Sequence, residues 1–406
     1  MNPILPLDVF TADVEAHPMP DGRLYLYGSW DKRNVEHPYG YCSEMHHVFS
    51  TDDMVNFVDH GVAYESKEIL FAPDAAYKDG KYYMYICGPG GYEQTIVADT
   101  PYGPFSDPKP LNVADGDGID PSVMVDDDGQ AYFFWGQFSL NGARLNPDMR
   151  SIDESSVVRN VLTEEEHGFH EGSSIRKING TYYLVFCDIT RGRATCLSYA
   201  TSDKPLGPYT KRGVLIDNSY CDPKTWNNHG SIQEYKGQLY LFYHRSGFNS
   251  DSPRRVCVEK LTMNPDGSIN EVEMTSQGPE DAINAFKPLE AARYSRIRCG
   301  GYAWEDEVYP QRITGCVGSE YWPGCVEYKY LNFEGGASKV QIVAKGKGLI
   351  HVRQKDRSVT VDVNVNSENE FALCEGTGEF KGGIQPVRLF IESETGLDIR
   401  SIKFEK

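Results

Sequence analysis

No stretch of the 406 residues approaches the ~18 consecutive apolar positions that a membrane-spanning helix needs, so the sequence predicts no membrane partner. Basic side chains are scarce. Forty Lys and Arg face 59 Asp and Glu, a net charge of −19 that repels nucleic acid and anionic lipid and disfavours either as a partner. The opening MNPILPLDVF has no basic leader and no apolar run of signal length, which predicts a cytoplasmic protein; a secreted chain already relieved of its leader would read the same. Ten cysteines are scattered from Cys42 to Cys374 with no CxxC pair and no dense framework, the pattern of buried thiols in a reducing compartment. No signal fixes an oligomeric state. What is plentiful is aromatic: 26 Tyr and 18 Phe, as expected where β-sheets dominate or sugar rings stack. At this length two domains are expected.

The chain repeats itself. DGRLYLYGS at 21–29, DGKYYMYI at 79–86, DDGQAYFFWG at 127–136, NGTYYLVF at 179–186 and KGQLYLFY at 236–243 each put a turn glycine before an aromatic strand. The glycines are Gly22, Gly80, Gly129, Gly180 and Gly237, at intervals of 58, 49, 51 and 57 residues. A period near ~50 residues with several strands per unit is the signature of a β-propeller, so the expected fold is all-β with five blades around a channel. Echoes at 48–61, 97–107 and 199–213 supply the turns of outer strands.

The innermost strand of each blade runs along the channel, so residues just upstream of each turn matter most. Asp13, Asp120 and Glu171 lie nine residues before their glycines, His229 lies eight before and Asp74 six before, a poorer match. Symmetry therefore delivers three Asp, one Glu and one His to the axis. In FTADVEAH, alternation puts Thr11, Asp13, Glu15 and His17 on one strand face. Loops at 37–47, 87–94, 164–174 and 218–231 combine Gly, His and aromatics and are expected to carry specificity.

The repeat stops near Gly278-Pro279. Residues 1–278 are thus expected to form the propeller, 279–290 a connector, and 291–406, with alternating segments at 326–333, 339–346 and 387–394, a β-sandwich.

Two carboxyl groups facing a neutral pocket are the minimum equipment for glycoside hydrolysis, one to protonate the leaving oxygen and one to activate water. A free Glu titrates near ~4.3, so an acid working at neutrality needs its pKa raised by burial or a neighbouring negative charge. Asp120 and Glu171 come from adjacent blades. Asp13 lies across the channel, leaving room for water and favouring inversion.

Residues 1–278 resemble glycoside hydrolase family 43 in Asn2-Pro3-Ile4 leading to Asp13, in Phe71-Ala72-Pro73-Asp74, in Ile119-Asp120-Pro121-Ser122, in Phe169-His170-Glu171-Gly172 and in Asn228-His229-Gly230-Ser231. The resemblance implies a five-bladed enzyme acting with inversion on arabinofuranosyl and xylosyl linkages of neutral plant-wall oligosaccharides. It implies Asp13 as general base, Asp120 as the residue that tunes and orients the acid, and Glu171 as general acid. It implies Phe71, Asp74, Phe169 and Arg245 at the sugar, and no required cofactor. His229 resembles a channel histidine beside a structural calcium ion or a water. Asp13-Val14 stands where the family has Asp-Pro, Phe71 where Trp is frequent and Ser173 where Pro is frequent. The C-terminal part resembles carbohydrate-binding module family 6, with Trp304, Tyr309 and Trp322 as sugar platforms or, equally, packing residues.

Each axial residue also has a plain structural reading. Asp120 could cap the turn before Pro121, Glu171 could pair with Arg176 or Arg193, and His229 could be a satisfied buried histidine. The shared register lifts the functional readings together, because unrelated ion pairs have no reason to recur at one offset. Competing functions are an endo-arabinanase or galactan hydrolase on the same fold, and a non-catalytic sugar-binding propeller whose axial acids hold a metal. A retaining fructosyl hydrolase ranks last, because its Asn-Asp-Pro-Asn nucleophile motif is absent.

Overall fold

A computed structural model describes residues 1–32, 43–89, 91–113, 118–304, 312–354 and 360–406. Tyr309 and part of the loop at 37–47 lie outside these described residues. Four four-stranded antiparallel sheets and one of three strands follow each other in chain order. Blade one holds β1 (Thr11–Pro18), β2 (Leu24–Trp30), β3 (Met45–Thr51) and β4 (Phe57–Glu65), and blade two β5 (Phe71–Lys78), β6 (Lys81–Gly88), β7 (Tyr92–Ala98) and β8 (Ser106–Pro110). Blade three holds β9 (Ser122–Val125), β10 (Ala131–Trp135), β11 (Ser139–Arg144) and β12 (Val158–Thr163). Blade four follows with β13 (Phe169–Ile178), β14 (Thr181–Asp188), β15 (Cys196–Ser202) and β16 (Thr210–Asp217). Blade five has β17 (Ile232–Tyr235), β18 (Gln238–Ser246) and β19 (Arg254–Leu261).

The five repeated glycines sit in the hairpins between the first two strands of each blade, all with φ between 80° and 85°. At Asp79-Gly80, Asn179-Gly180 and Lys236-Gly237 both central residues have positive φ, the twist a two-residue hairpin requires. The three-stranded blade is completed from the far end of the chain. Ile4 N–H donates to the Val256 carbonyl at 3.1 Å, while the Asn2 side chain donates to Val258 O and accepts from Val258 N. The first residues thus fasten the ring shut.

Aromatic abundance has a packing origin. Five separate cores lie between neighbouring blades, and alternate residues of each second strand face opposite neighbours. Tyr25 and Tyr27 pack toward blade two with Met84 and Ile86, whereas Leu24 and Leu26 pack toward blade five with Phe242 and Val256. The described cysteines are buried thiols, with Cys325 half-buried.

Beyond the blades, strands including Gly324–Asn332, Ala337–Gln354, Thr360–Phe380 and Ile384–Glu405 form one nine-stranded sheet. Register shifts at Val343/Ala344 and Gly346/Leu349 bend its long strands, and the sheet curls over a single core containing Val326, Ile342, Ile350, Val363 and Leu389. The expected sandwich is therefore one sheet folded on itself. It packs on blade five: Phe248 N–H donates to Ala303 O at 2.9 Å, and Trp304 lies 4.8 Å from the Phe248 ring. Trp304 is thereby a packing residue, while Trp322 is 85 % exposed.

Candidate active site

The innermost strands β1, β5, β9, β13 and β17 surround the axis. At one end each of the first four departs from regular pairing. Register shifts fall at Ala12/Glu15, Phe71/Asp74 and on both sides of Glu171, and Asp13, Ala72, Asp120 and Gly172 have positive φ. Bulges re-aim side chains, and a non-glycine residue in the left-handed region costs of order ~1 kcal/mol, a strain characteristic of functional sites. The alternation expected in β1 holds across the bulge: Val14 and Ala16 pack into the core toward blade five, while Asp13, Glu15 and His17 meet polar partners.

Asp13 is buried and fully engaged. Arg254 Nη1 donates to its Oδ1 at 2.6 Å, Ser29 Oγ donates to its Oδ2 at 2.6 Å, and the Nδ1 atoms of His244 and His229 stand 3.5 and 3.7 Å from Oδ1. Burial pushes this carboxyl up, but Arg254, with His229 and His244, outweighs it and holds the pKa down at about 2. Arg254 is itself fixed by Asp31 through Nε at 2.9 Å, Nη2 at 3.0 Å and the backbone N–H at 2.8 Å.

Asp120 is also buried, and its Oδ2 accepts the Gly172 N–H at 2.9 Å. Burial, then Glu171, then Asp13 push its pKa well above the carboxylate range. Glu171 is the most accessible of the three, with Gln137 Nε2 donating to its Oε2 at 2.8 Å. Burial raises its pKa, and Asp13 adds to the rise against the Gln137 bond and His170. Asp120 and Glu171 repel each other, so the pair retains a proton that Asp13 has lost. The Gly172 N–H opposes the rise of Asp120 without reversing it, and the retained proton belongs to the pair.

The structure thus gathers Asp13, Asp120 and Glu171 in one electrostatic group. Arg176, the alternative partner of Glu171, instead donates to Glu15 at 2.6 Å, and Arg193 donates to Thr225 O. Phe71 stands at the bulged end of β5, partly exposed. Three expected sugar contacts are corrected. Phe169 is completely buried between blades three and four, 5.8 Å from Phe186, and presents no face to a ligand. Arg245 is buried under the C-terminal sheet, donating to Tyr243 Oη, Tyr294 O and Thr275 O. Asp74 has no exposed surface, and its oxygens engage His17 at 2.6 Å and Val123 N–H at 2.7 Å.

One cluster of donors lies elsewhere in the channel wall. Among the described residues, donors converge within 4.8 Å at Glu15, His17 and Asp74, a set that leaves out His229. A hard cation such as calcium wants six to eight oxygens, and the Nδ1 of His229 faces Asp13 instead. Sequence reasoning missed Arg254, Asp31, Ser29, Gln137 and His244. The antiparallel pairing of Ala12 with Ser29 places Ser29 and Asp31 at the Asp13 end of blade one, and Arg254 opens β19 at the same end.

Residues 2–269 match the family described as Glycosyl hydrolases family 43. A protein named xylosidase/arabinosidase from Thermoclostridium stercorarium is 31 % identical over 377 residues, covering 79 % of this chain and 76 % of that protein. A solved β-xylosidase/α-arabinofuranosidase from a compost microbial metagenome, in complex with xylotriose in a calcium-free form, is 32 % identical with a TM-score of 0.58, over 67 % of this chain and 97 % of its own. The arabinoxylan arabinofuranohydrolase of Bacillus subtilis, in complex with cellotetraose, has a TM-score of 0.60 over 100 % of this chain and 97 % of its own; at 24 % identity this is a likeness of fold, and it spans the C-terminal sheet too.

Proposed function

The chain belongs to glycosyl hydrolases family 43 and is a glycoside hydrolase; from that premise we propose that it releases arabinofuranosyl or xylosyl units from oligosaccharides, with inversion. The observation that carries the reading is the opposite treatment of two carboxyl groups. Asp13 is held ionised at about 2 by Arg254, while Glu171 is raised by burial. Carboxyl groups whose environments push their pKa values apart are assigned as base and acid on that ground.

In the proposed reaction Glu171 gives its proton to the glycosidic oxygen as the C1–O bond breaks, and Asp13 takes a proton from the water that attacks C1 on the opposite face. A carboxylate titrating at about 2 is a weak base toward free water. Water bonding to an oxocarbenium-like carbon becomes strongly acidic as the bond forms, so the carboxylate has to accept only late. Asp120 and Glu171 hold that proton as a buried pair, and the reaction draws on it at Glu171, the more accessible of the two. Side chains supply every proton donor and acceptor, and no cofactor is required. The relatives named xylosidase/arabinosidase, and a xylotriose complex in calcium-free form, support a pentose substrate bound without metal.

The test is turnover of nitrophenyl α-L-arabinofuranoside and β-D-xyloside, with proton NMR following the anomer first released. Inverted product is expected. Retained configuration would overturn the assignment of Asp13, and sugar binding without turnover would favour a binding propeller.

A further inference from the structure

The strand of the C-terminal sheet that buttresses blade five is flanked by two thiols. Tyr302–Trp304 pairs antiparallel with Arg312–Gly318, and this hairpin supplies both the Ala303 carbonyl and the Trp304 ring that meet Phe248. Cys299 lies just before the first of these strands, and Cys316 lies in the second. Val317 N–H donates to Cys299 O at 2.9 Å, which sets the two cysteines side by side. Their Sγ atoms stand 2.7 Å apart, inside van der Waals contact, and both are buried.

The neighbours leave space for this pair. A Cβ at Gly324 would stand 2.5 Å from Cys299 Cβ, and one at Gly301 would stand 2.7 Å from Cys316 Sγ. Other buried thiols are engaged differently. Cys187, Cys257 and Cys374 donate to carbonyl oxygens, and Cys221 bonds the Thr225 hydroxyl. Cys299 and Cys316 face each other.

We propose that Cys299 and Cys316 are a disulfide-forming pair, which closes in an oxidising environment and braces the contact between the C-terminal sheet and blade five. The oxidant is a small disulfide such as glutathione disulfide. One cysteine, as its thiolate, attacks a sulfur of the oxidant, so a mixed disulfide forms and a glutathione thiolate leaves. The other cysteine thiolate then attacks the protein sulfur of that mixed disulfide. The Cys299–Cys316 bond forms, the second glutathione thiolate leaves, and the two protons lost by the cysteines go to the two departing thiolates. The oxidant has then taken up both electrons. Burial pushes the Cys316 thiol up and covers both sulfurs, so exchange takes place as the chain folds or when this corner opens. The same burial shields the finished bond from reductants.

The test holds the full chain with glutathione disulfide in urea below its unfolding transition, alkylates it in denaturant and digests it without reductant. Mass spectrometry should find the Cys299 peptide linked to the one that carries Cys316, with fragment spectra placing the bond at Cys316 rather than Cys325. Eight of the ten cysteines should be alkylated, two having joined. Cross-linking restricts the unfolded chain, so the oxidised protein should melt about 5 °C or more above the same protein kept in a phosphine reductant. Amide exchange at Phe248 should slow by about threefold or more. Cys316→Ala should abolish both differences, and Cys325→Ala should retain them.

Ten alkylated cysteines after oxidation, or a bond from Cys299 to any other cysteine, overturns the proposal. A bond at Cys316 with an unchanged melting temperature and unchanged exchange at Phe248 overturns the bracing role. Should Cys316→Ala not fold, the oxidised and reduced wild type decide the matter between them.

Discussion

Replacing Arg254 by methionine tests the electrostatic logic of the site most directly. The guanidinium is shared between Asp13, at 2.6 Å, and Asp31, at 2.9 and 3.0 Å, and all three residues are buried. Two unit charges about 4 Å apart at an effective dielectric constant of about 20 attract by about 4 kcal/mol, or about three pH units of carboxyl titration. Losing that attraction should carry Asp13 from about 2 to about 5, with burial acting in the same direction. A base must be ionised to work, so activity disappears as pH falls through its pKa. The acid limb of kcat/KM should therefore move up by two to three units, roughly the size of the lost attraction, in a profile on nitrophenyl arabinofuranoside from pH 3 to 9. Because Asp13, Asp120 and Glu171 titrate together, the shift belongs to the group. Breaking a buried pair also costs about 3–5 kcal/mol of stability, which protonation of Asp31 partly relieves, its pKa already being raised by burial. Arg254→Lys keeps the charge and should shift the limb less. An acid limb unmoved in a folded Arg254→Met protein would refute the assignment of Arg254 as the group that keeps Asp13 ionised.

Three further outcomes are expected. Glu171→Ala should lose about 10²- to 10⁴-fold on nitrophenyl pentosides but far less on dinitrophenyl ones, whose leaving group needs little protonation; Asp13→Ala should lose activity on both. Equal losses across leaving groups for Glu171→Ala would remove it as the acid. Glu15, raised to about 8 by burial and by Asp74, is a carboxyl that the fold holds protonated above its ordinary 4.5, so its cost grows from pH 4.5 to pH 8. Glu15→Gln should accordingly raise the melting temperature more at pH 8 than at pH 5, and a pH-independent difference would contradict this. Trp304→Ala, which removes the ring against Phe248, should lower the melting temperature and loosen the loop before Arg254, read as faster hydrogen exchange at residues 247–253.

The five blades were legible because hairpin chemistry is local: a positive-φ glycine followed by an aromatic strand announces itself five times over. The acids were legible for a related reason. A fixed offset from each hairpin fixes height along the channel, so Asp13, Asp120 and Glu171 were found without any knowledge of packing. Asp74 failed by the same rule. Its offset of six sets it at the inner edge of the blade-two bulge, level with His17 and Val123, and both its oxygens are used inside the wall.

The arginine shows where local reading stops. Arg245 and Arg254 lie on neighbouring antiparallel strands, with Arg245 paired to Arg255. Strand alternation turns Arg245 toward Tyr243 and Glu259 beneath the C-terminal sheet, and sets Arg254 against Asp31 and Asp13 from the other end of the chain. Which arginine reaches the channel depends on where the Asn2 to Ile4 segment joins the last blade, a contact across more than two hundred residues. Ring closure therefore does chemical as well as mechanical work. It brings blade five against blade one and so supplies the charge that separates the base from the acid. That charge can be read only after the first and last strands of the propeller have been joined.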